Sequence, residues 1–87
     1  TRAEILDTAK EYVTKDRAAS HGDMEDNFCL IADLWSVYTG HEFRTHDVAV
    51  MMALLKIARI RSKEFNADNW IDLAGYAACG GEIACKK

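Results

Sequence analysis

Residues 48–60 read VAVMMALLKIARI, and this stretch decides the fold class. No glycine or proline interrupts it, and its apolar side chains recur at helical spacing, so it predicts a helix. Thr45 is expected to cap that helix, and Asp47 lies in the first turn, where a negative charge suits the helix dipole. We expect the helix to reach about Phe65 and to be the most apolar of the chain.

Helical spacing also governs the residues on the N-terminal side of this stretch. Apolar positions predict a first helix over about 2–15 and a second over about 24–38. Gly40 is a natural end for the second helix. The intervening residues 16–22, DRAASHG, indicate a loop.

A fourth helix is predicted on the C-terminal side, over about 67–79. Asn66 is expected to cap it, with Asp68 in its first turn, and Gly80–Gly81 either to end it or to kink it. No segment sustains the period-two alternation of a strand. The chain is therefore predicted to be all-α, a compact bundle of about four helices with antiparallel neighbours.

Length and charge restrict the function. The 87 residues fit one domain, 1–87, whose modest core makes a homo-oligomer a reasonable expectation. The 11 basic and 14 acidic residues give a net charge of −3, which argues against a general binder of DNA, RNA or acidic membranes. No apolar run approaches the roughly 18 residues of a membrane span, and no secretory leader is visible.

The three cysteines show no spacing typical of a zinc or redox site. They are Cys29, Cys79 and Cys85, an odd number without a CxxC pair. We expect free thiols in a reducing cytoplasm rather than a disulfide. The histidines also lack ligand spacing, so no metal site is expected.

Two polar stripes on the last two helices are the strongest functional signal. The basic stripe comprises Lys56, Arg59 and Lys63, and the acidic stripe comprises Asp68, Asp72 and Tyr76. A tight connection would set one stripe opposite the other. The carboxylates could then hold Mg²⁺, or the cations could hold phosphates while the aspartates bind base or ribose groups. An interhelical salt-bridge network explains the same pattern without any ligand.

Gly75 lies beside the acidic stripe, inside the fourth helix. A glycine there costs about 1 kcal/mol relative to alanine, so something is expected to approach the backbone closely. A neighbouring helix is the commoner cause, and a ligand is the alternative.

A second cluster lies around the start of the second helix. Arg17 and His21 could assist the helix amides in binding an anion, and Asn27 could read an amide or a base edge. Phe28 and Trp35 could stack on a base, although their shared apolar stripe favours the core. No serine or cysteine lies in a nucleophilic motif, and no glycine-rich phosphate loop is present, so no catalytic residue is assigned.

The chain resembles a family of small proteins encoded by tailed phages and prophages and catalogued as a domain of unknown function. The resemblance rests on HGDMEDNF at 21–28, DVAVMMALLKIARI at 47–60 and DNWIDLAGYAA at 68–78. More distantly, the layout is similar to the all-α nucleotide pyrophosphohydrolases of the MazG and dUTPase type. Those enzymes bind Mg²⁺ through ExxE and ExxD motifs, whereas this chain has no ExxE pair.

The resemblance and the incomplete acidic motif imply a binder more than a hydrolase. The leading hypothesis is a phage protein, cytoplasmic in the infected host, that sequesters a nucleotide immune signal, such as a cyclic oligonucleotide or a cyclic ADP-ribose derivative, without a cofactor. The expected ligand-binding residues are Arg17, His21, Asn27, Lys56, Arg59, Asp68, Asp72 and Tyr76.

Two alternatives stay open. One is a Mg²⁺-dependent pyrophosphohydrolase that uses Asp68 and Asp72, with Asp33 or Asp47 as a further ligand. The other is a module that inhibits a host enzyme through an exposed apolar helix face.

Overall fold

A computed structural model of the chain describes residues 1–16, 23–62 and 65–85. These residues form four α-helices, and no strand occurs among them, which confirms the all-α prediction. The helices are α1 (Arg2–Glu11), α2 (Met24–Thr39), α3 (Thr45–Ile60) and α4 (Ala67–Cys85), with a π-helical turn, Tyr12–Asp16, directly after α1.

The ends of α2 follow the expected chemistry. Asp23 caps its start, where the Oδ2 atom accepts a hydrogen bond from the backbone N–H of Asp26 at 3.2 Å. Gly40 ends the helix with a φ of 74°, in the left-handed region that favours glycine. The following turn is held by Ser36, whose Oγ accepts the backbone N–H of Phe43 at 2.8 Å. The sequence predicted this helix to within one residue at its end.

The start of α3 differs from the prediction, because Thr45 is already helical and Arg44 is the cap residue. The side chain of Asp47 reaches back, and its Oδ2 accepts the backbone N–H of Arg44 at 2.8 Å. Asp47 therefore pairs with a backbone N–H at the start of the helix, and its negative charge also complements the helix dipole there. The helix ends at Ile60, well before the predicted Phe65.

The last helix also differs from its prediction. The Oδ1 atom of Asn66 accepts the backbone N–H of Asp68 at 2.9 Å, so the expected cap is present. The helix then continues through Gly80 and Gly81 to Cys85 without a break. A β-carbon added at Gly80 would lie 2.9 Å from Cβ of Ala49 in α3. This glycine therefore allows close helix packing instead of ending the helix.

The long helices α3 and α4 pack against each other over the most extensive contact of the fold. Ala49 lies against Gly80, and Lys56 lies against Asp72, so the two helices run antiparallel as expected. α1 packs on α4, and α2 packs on α3. None of the helices in the described ranges combines the length and the apolar character needed to cross a bilayer.

The core is built largely from small side chains. Val48 is the one large side chain with almost no exposure among the described residues. The other buried apolar residues are Ala9, Ala32, Ala49, Ile71 and Cys79. Small residues let helix backbones approach closely, but each buries little apolar area.

Substitution of the adjacent glycines of α4 tests this close packing. Gly80→Ala is expected to destabilise the protein by about 1–3 kcal/mol, because the new methyl group would collide with Ala49. Gly81→Ala is the matched control, since nothing lies within 4 Å of its β-carbon position. Its better helix propensity should stabilise the protein by up to about 1 kcal/mol. Urea unfolding measures both, and equal stability of the two variants would contradict the close approach.

Candidate functional site

A cleft of about 420 Å³ opens between the π-helical turn, α2 and α4, with α3 contributing to its wall. α2 supplies Asn27 and Phe28 to the lining, and α4 supplies Asp72 and Tyr76. Three of the eight predicted ligand-binding residues thus meet in one place, namely Asn27, Asp72 and Tyr76. The volume lies within the range typical of small-molecule sites.

Two aromatic rings that line the cleft are in contact with each other. The ring centroids of Phe28 and Tyr76 are 6.3 Å apart, and the ring planes are tilted by 32°. Both residues are half-buried, so they belong to the core and to the cleft wall at the same time. Trp35 instead packs edge-on against Phe43 at 6.1 Å and does not line the cleft.

The polar centre of the site is an ion pair between helices. Nζ of Lys56 lies 2.9 Å from Oδ2 of Asp72, and the two side chains are only 10% and 14% exposed. The predicted opposition of a basic and an acidic stripe is realised at this pair. Asp72 also lines the cleft, whereas Lys56 is not among the lining residues. Lys56 thus holds Asp72 from outside the lining of the cleft, and the phosphate contact predicted for Lys56 stays a prediction.

The remaining predicted residues lie elsewhere. Arg59 on α3 and Asp68 on α4 are exposed and do not line the cleft. Arg17 and His21 lie outside the described residues.

The Mg²⁺ site of the pyrophosphohydrolase alternative would need a cluster of ligand side chains. Among those residues, no group of three or more histidine, cysteine, aspartate or glutamate side chains is arranged to hold a metal ion. Asp33 is exposed on α2, and Asp47 is engaged at the start of α3. No disulfide joins the described cysteines, and Cys79 is buried and lines the cleft.

Gly75 lies where the π-helical turn meets α4. A β-carbon here would lie 3.1 Å from Cγ1 of Val13, so the glycine lets the π-helical turn approach the helix. The close neighbour is therefore this helical turn, and the glycine also lines the cleft. Sequence reasoning missed Tyr12, Val13 and Cys79 as wall residues. Extending the stripe of Asp72 by helical spacing would have found Cys79, but no sequence signal marks the π-helical turn.

Removing one partner of the buried ion pair is expected to cost more than removing both. Lys56→Met alone should destabilise the protein by about 3 kcal/mol, because it leaves the Asp72 carboxylate poorly solvated. The double variant Lys56→Met, Asp72→Leu should recover most of that loss. Chemical denaturation measures each variant.

The exposed pair between Lys15 and Glu11 provides the control. Its Nζ–Oε1 distance is 3.7 Å, and its side chains are 72% and 57% exposed. Lys15→Met should change stability by less than about 1 kcal/mol. A loss as small for Lys56→Met would mean that the pair between α3 and α4 is solvated and does not organise the site.

Comparison with known proteins places the chain among phage proteins. The Gene 55 protein of Mycobacterium phage L5 is 49% identical over 74 residues, which cover 84% of this chain and 47% of that protein. The Gene 55 protein of Mycobacterium phage D29 is 39% identical over 75 residues, 86% of this chain and 50% of that protein. The chain thus spans about half the length of these curated relatives.

No solved structure matches the chain. The resemblance to a small phage family is confirmed, whereas the similarity to MazG-type enzymes stays a prediction. A family model described as a domain of unknown function matches residues 4–84, and the chain therefore belongs to that family, DUF6378.

Proposed function

We propose that this relative of phage proteins binds a nucleotide-like ligand in the cleft and sequesters it without hydrolysis. The ligand class is a nucleotide immune signal, such as a cyclic oligonucleotide or a cyclic ADP-ribose derivative. The observation that carries the proposal is the carboxylate of Asp72, held by Lys56 at 2.9 Å at the edge of a cleft walled by aromatic rings.

The chemistry of the cleft suits the base and ribose part of such a ligand. A carboxylate accepts hydrogen bonds from ribose hydroxyls or from the exocyclic amine of a base, and the amide of Asn27 offers both donors and an acceptor. Phe28 and Tyr76 offer apolar faces on which a base can stack. Because Lys56 already fixes Asp72, little side-chain freedom is lost when a ligand binds.

Phosphate groups need a different contact. The charge of Lys56 is offset by Asp72, and Arg59 does not line the cleft. In this proposal Arg17 and His21 supply the phosphate contacts, since they precede Asn27 closely along the chain. Sequestration requires only that the ligand be held, so the site needs no general base or nucleophile.

Thermal-shift measurements test the proposal directly. The protein is screened against nucleoside triphosphates, cyclic dinucleotides and cyclic ADP-ribose isomers, with and without Mg²⁺. Each ligand that shifts the melting temperature is then extracted from the protein, and its mass is measured by mass spectrometry. We expect a rise in melting temperature with ligand concentration and recovery of the intact ligand. Pyrophosphate release that a chelator stops would support the hydrolase alternative. No shift with any nucleotide would contradict the proposal and favour a protein partner.

Two aromatic truncations on α4 then locate the site. Tyr76→Ala should weaken binding of the best nucleotide by roughly tenfold or more, because loss of base stacking costs about 1–3 kcal/mol. Trp70→Ala is the matched control, since Trp70 lies on the same helix, is 48% exposed and does not line the cleft. Titration calorimetry measures both, with circular dichroism to verify folding. Equal losses for the two variants would place the ligand elsewhere.

A further inference from the structure

The outer face of α3 is apolar although it points away from the core. Its centre is formed by Val50, Leu54 and Ile57, which are 53%, 58% and 45% exposed. At 100° per residue these positions lie opposite Val48 and Ala49, which are buried. A contiguous exposed apolar face of this kind usually marks a surface that another molecule covers. The full outer face comprises Asp47, Val50, Met51, Leu54, Ile57, Ala58 and Arg61.

Charges occur on this face only at its two ends. Asp47 lies at the start of the helix and Arg61 is the residue that caps its end, both on the same side as Leu54. Leu54 stands midway between them, seven residues from each along the chain. At 1.5 Å per residue, the opposite charges are separated by about 21 Å.

When a second copy of this helix lies antiparallel to the first, the acidic end of each faces the basic end of the other. We propose that the outer face of α3 binds the same face of a second copy, with the helices antiparallel and the two-fold axis at Leu54. Asp47 of each copy then lies opposite Arg61 of the other, and Val50 lies opposite Ala58. A contact of this kind uses one patch twice and closes as a dimer.

Packing and charge both support this pairing. Antiparallel helices approach to 8–10 Å, and the small side chain of Ala58 leaves room for Val50. The face carries one acidic and one basic group, so the net charge of −3 per chain does not create repulsion within it. The pairing removes four large apolar side chains per copy from water, namely Val50, Met51, Leu54 and Ile57.

The other exposed apolar stripe, on α2, is less suited to pairing with itself. It contains Leu34, which is 58% exposed, and Val37, which is 84% exposed. Asp33 lies beside its centre, so inverted copies would bring like charges together. This difference makes α3 the interface and α2 its control.

The dimer is independent of the proposed ligand site. Val48 and Met52 of α3 line the cleft from the side opposite the outer face, so the cleft stays open in the dimer. The dimer can therefore form whether or not the protein binds a nucleotide, and the two proposals fail separately.

Sedimentation equilibrium tests the interface with two matched variants. The wild-type chain should have about twice its mass of 9.8 kDa. Leu54→Lys places two like charges at the axis and should raise the dissociation constant at least a hundredfold. Leu34→Lys, equally exposed in the monomer at 58%, should leave the dimer intact. A monomeric wild-type chain, or equal losses in both variants, would overturn the proposal.

Disulfide cross-linking tests the direction of the helices. Val50→Cys and Ala58→Cys are made separately, with the exposed Cys29 and Cys85 replaced by serine in both chains. A mixture of the two chains should cross-link under a mild oxidant, and neither chain should cross-link with itself. In a parallel pair each chain would cross-link with itself, because identical residues would face each other, and that result would overturn the antiparallel arrangement.

Discussion

The ion pair between Lys56 and Asp72 is the interaction on which the rest of the structure depends. It joins α3 to α4, and both side chains are nearly buried. Because each charge is costly without the other, the pair specifies one register between these helices. The same register brings Asp72 and Tyr76 to the cleft that α2 and the π-helical turn complete. Helix alignment and site geometry thus have one origin.

Close approach between backbones is the second constraint. Gly75 and Gly80 let Val13 and Ala49 approach α4 closely, since an added β-carbon would lie 3.1 Å from Val13 and 2.9 Å from Ala49. Tight packing of small residues stabilises each contact but buries little apolar area. The larger apolar side chains of α2 and α3 are left on the surface as a result. A fold of this kind gains stability when a further surface covers those side chains.

The sequence predicted the helices better than their ends. Periodicity located all four, because each must bury an apolar stripe. It placed the end of α3 too late and the end of α4 too early. The error at Gly80 has a physical cause, since a glycine that ends a helix and a glycine that admits a neighbouring helix look alike in sequence. Only the position of Ala49 distinguishes them.

For the site, the sequence predicted the polar partners but not the walls. Helical spacing placed Asp72 and Tyr76 on one side of α4, and Lys56 of the basic stripe lies opposite Asp72. It also included Arg59 and Asp68, which share the stripes but do not line the cleft. A polar stripe runs along the whole length of a helix, whereas a cleft is bounded by the other elements that pack around it. The positions of those elements belong to the tertiary structure and do not follow from helical spacing.

The π-helical turn, Tyr12–Asp16, carries an evolutionary consequence. Such a turn is equivalent to one residue inserted into an α-helix, and it rotates everything after it by about 100°. Tyr12 and Val13, its first two residues, line the cleft, while α1 packs on α4. A homologue that lacked one residue here would keep the bundle but present a different side of this segment to the cleft. Insertions and deletions at this turn are therefore a route by which the wall of the cleft can change within the family while the fold is kept.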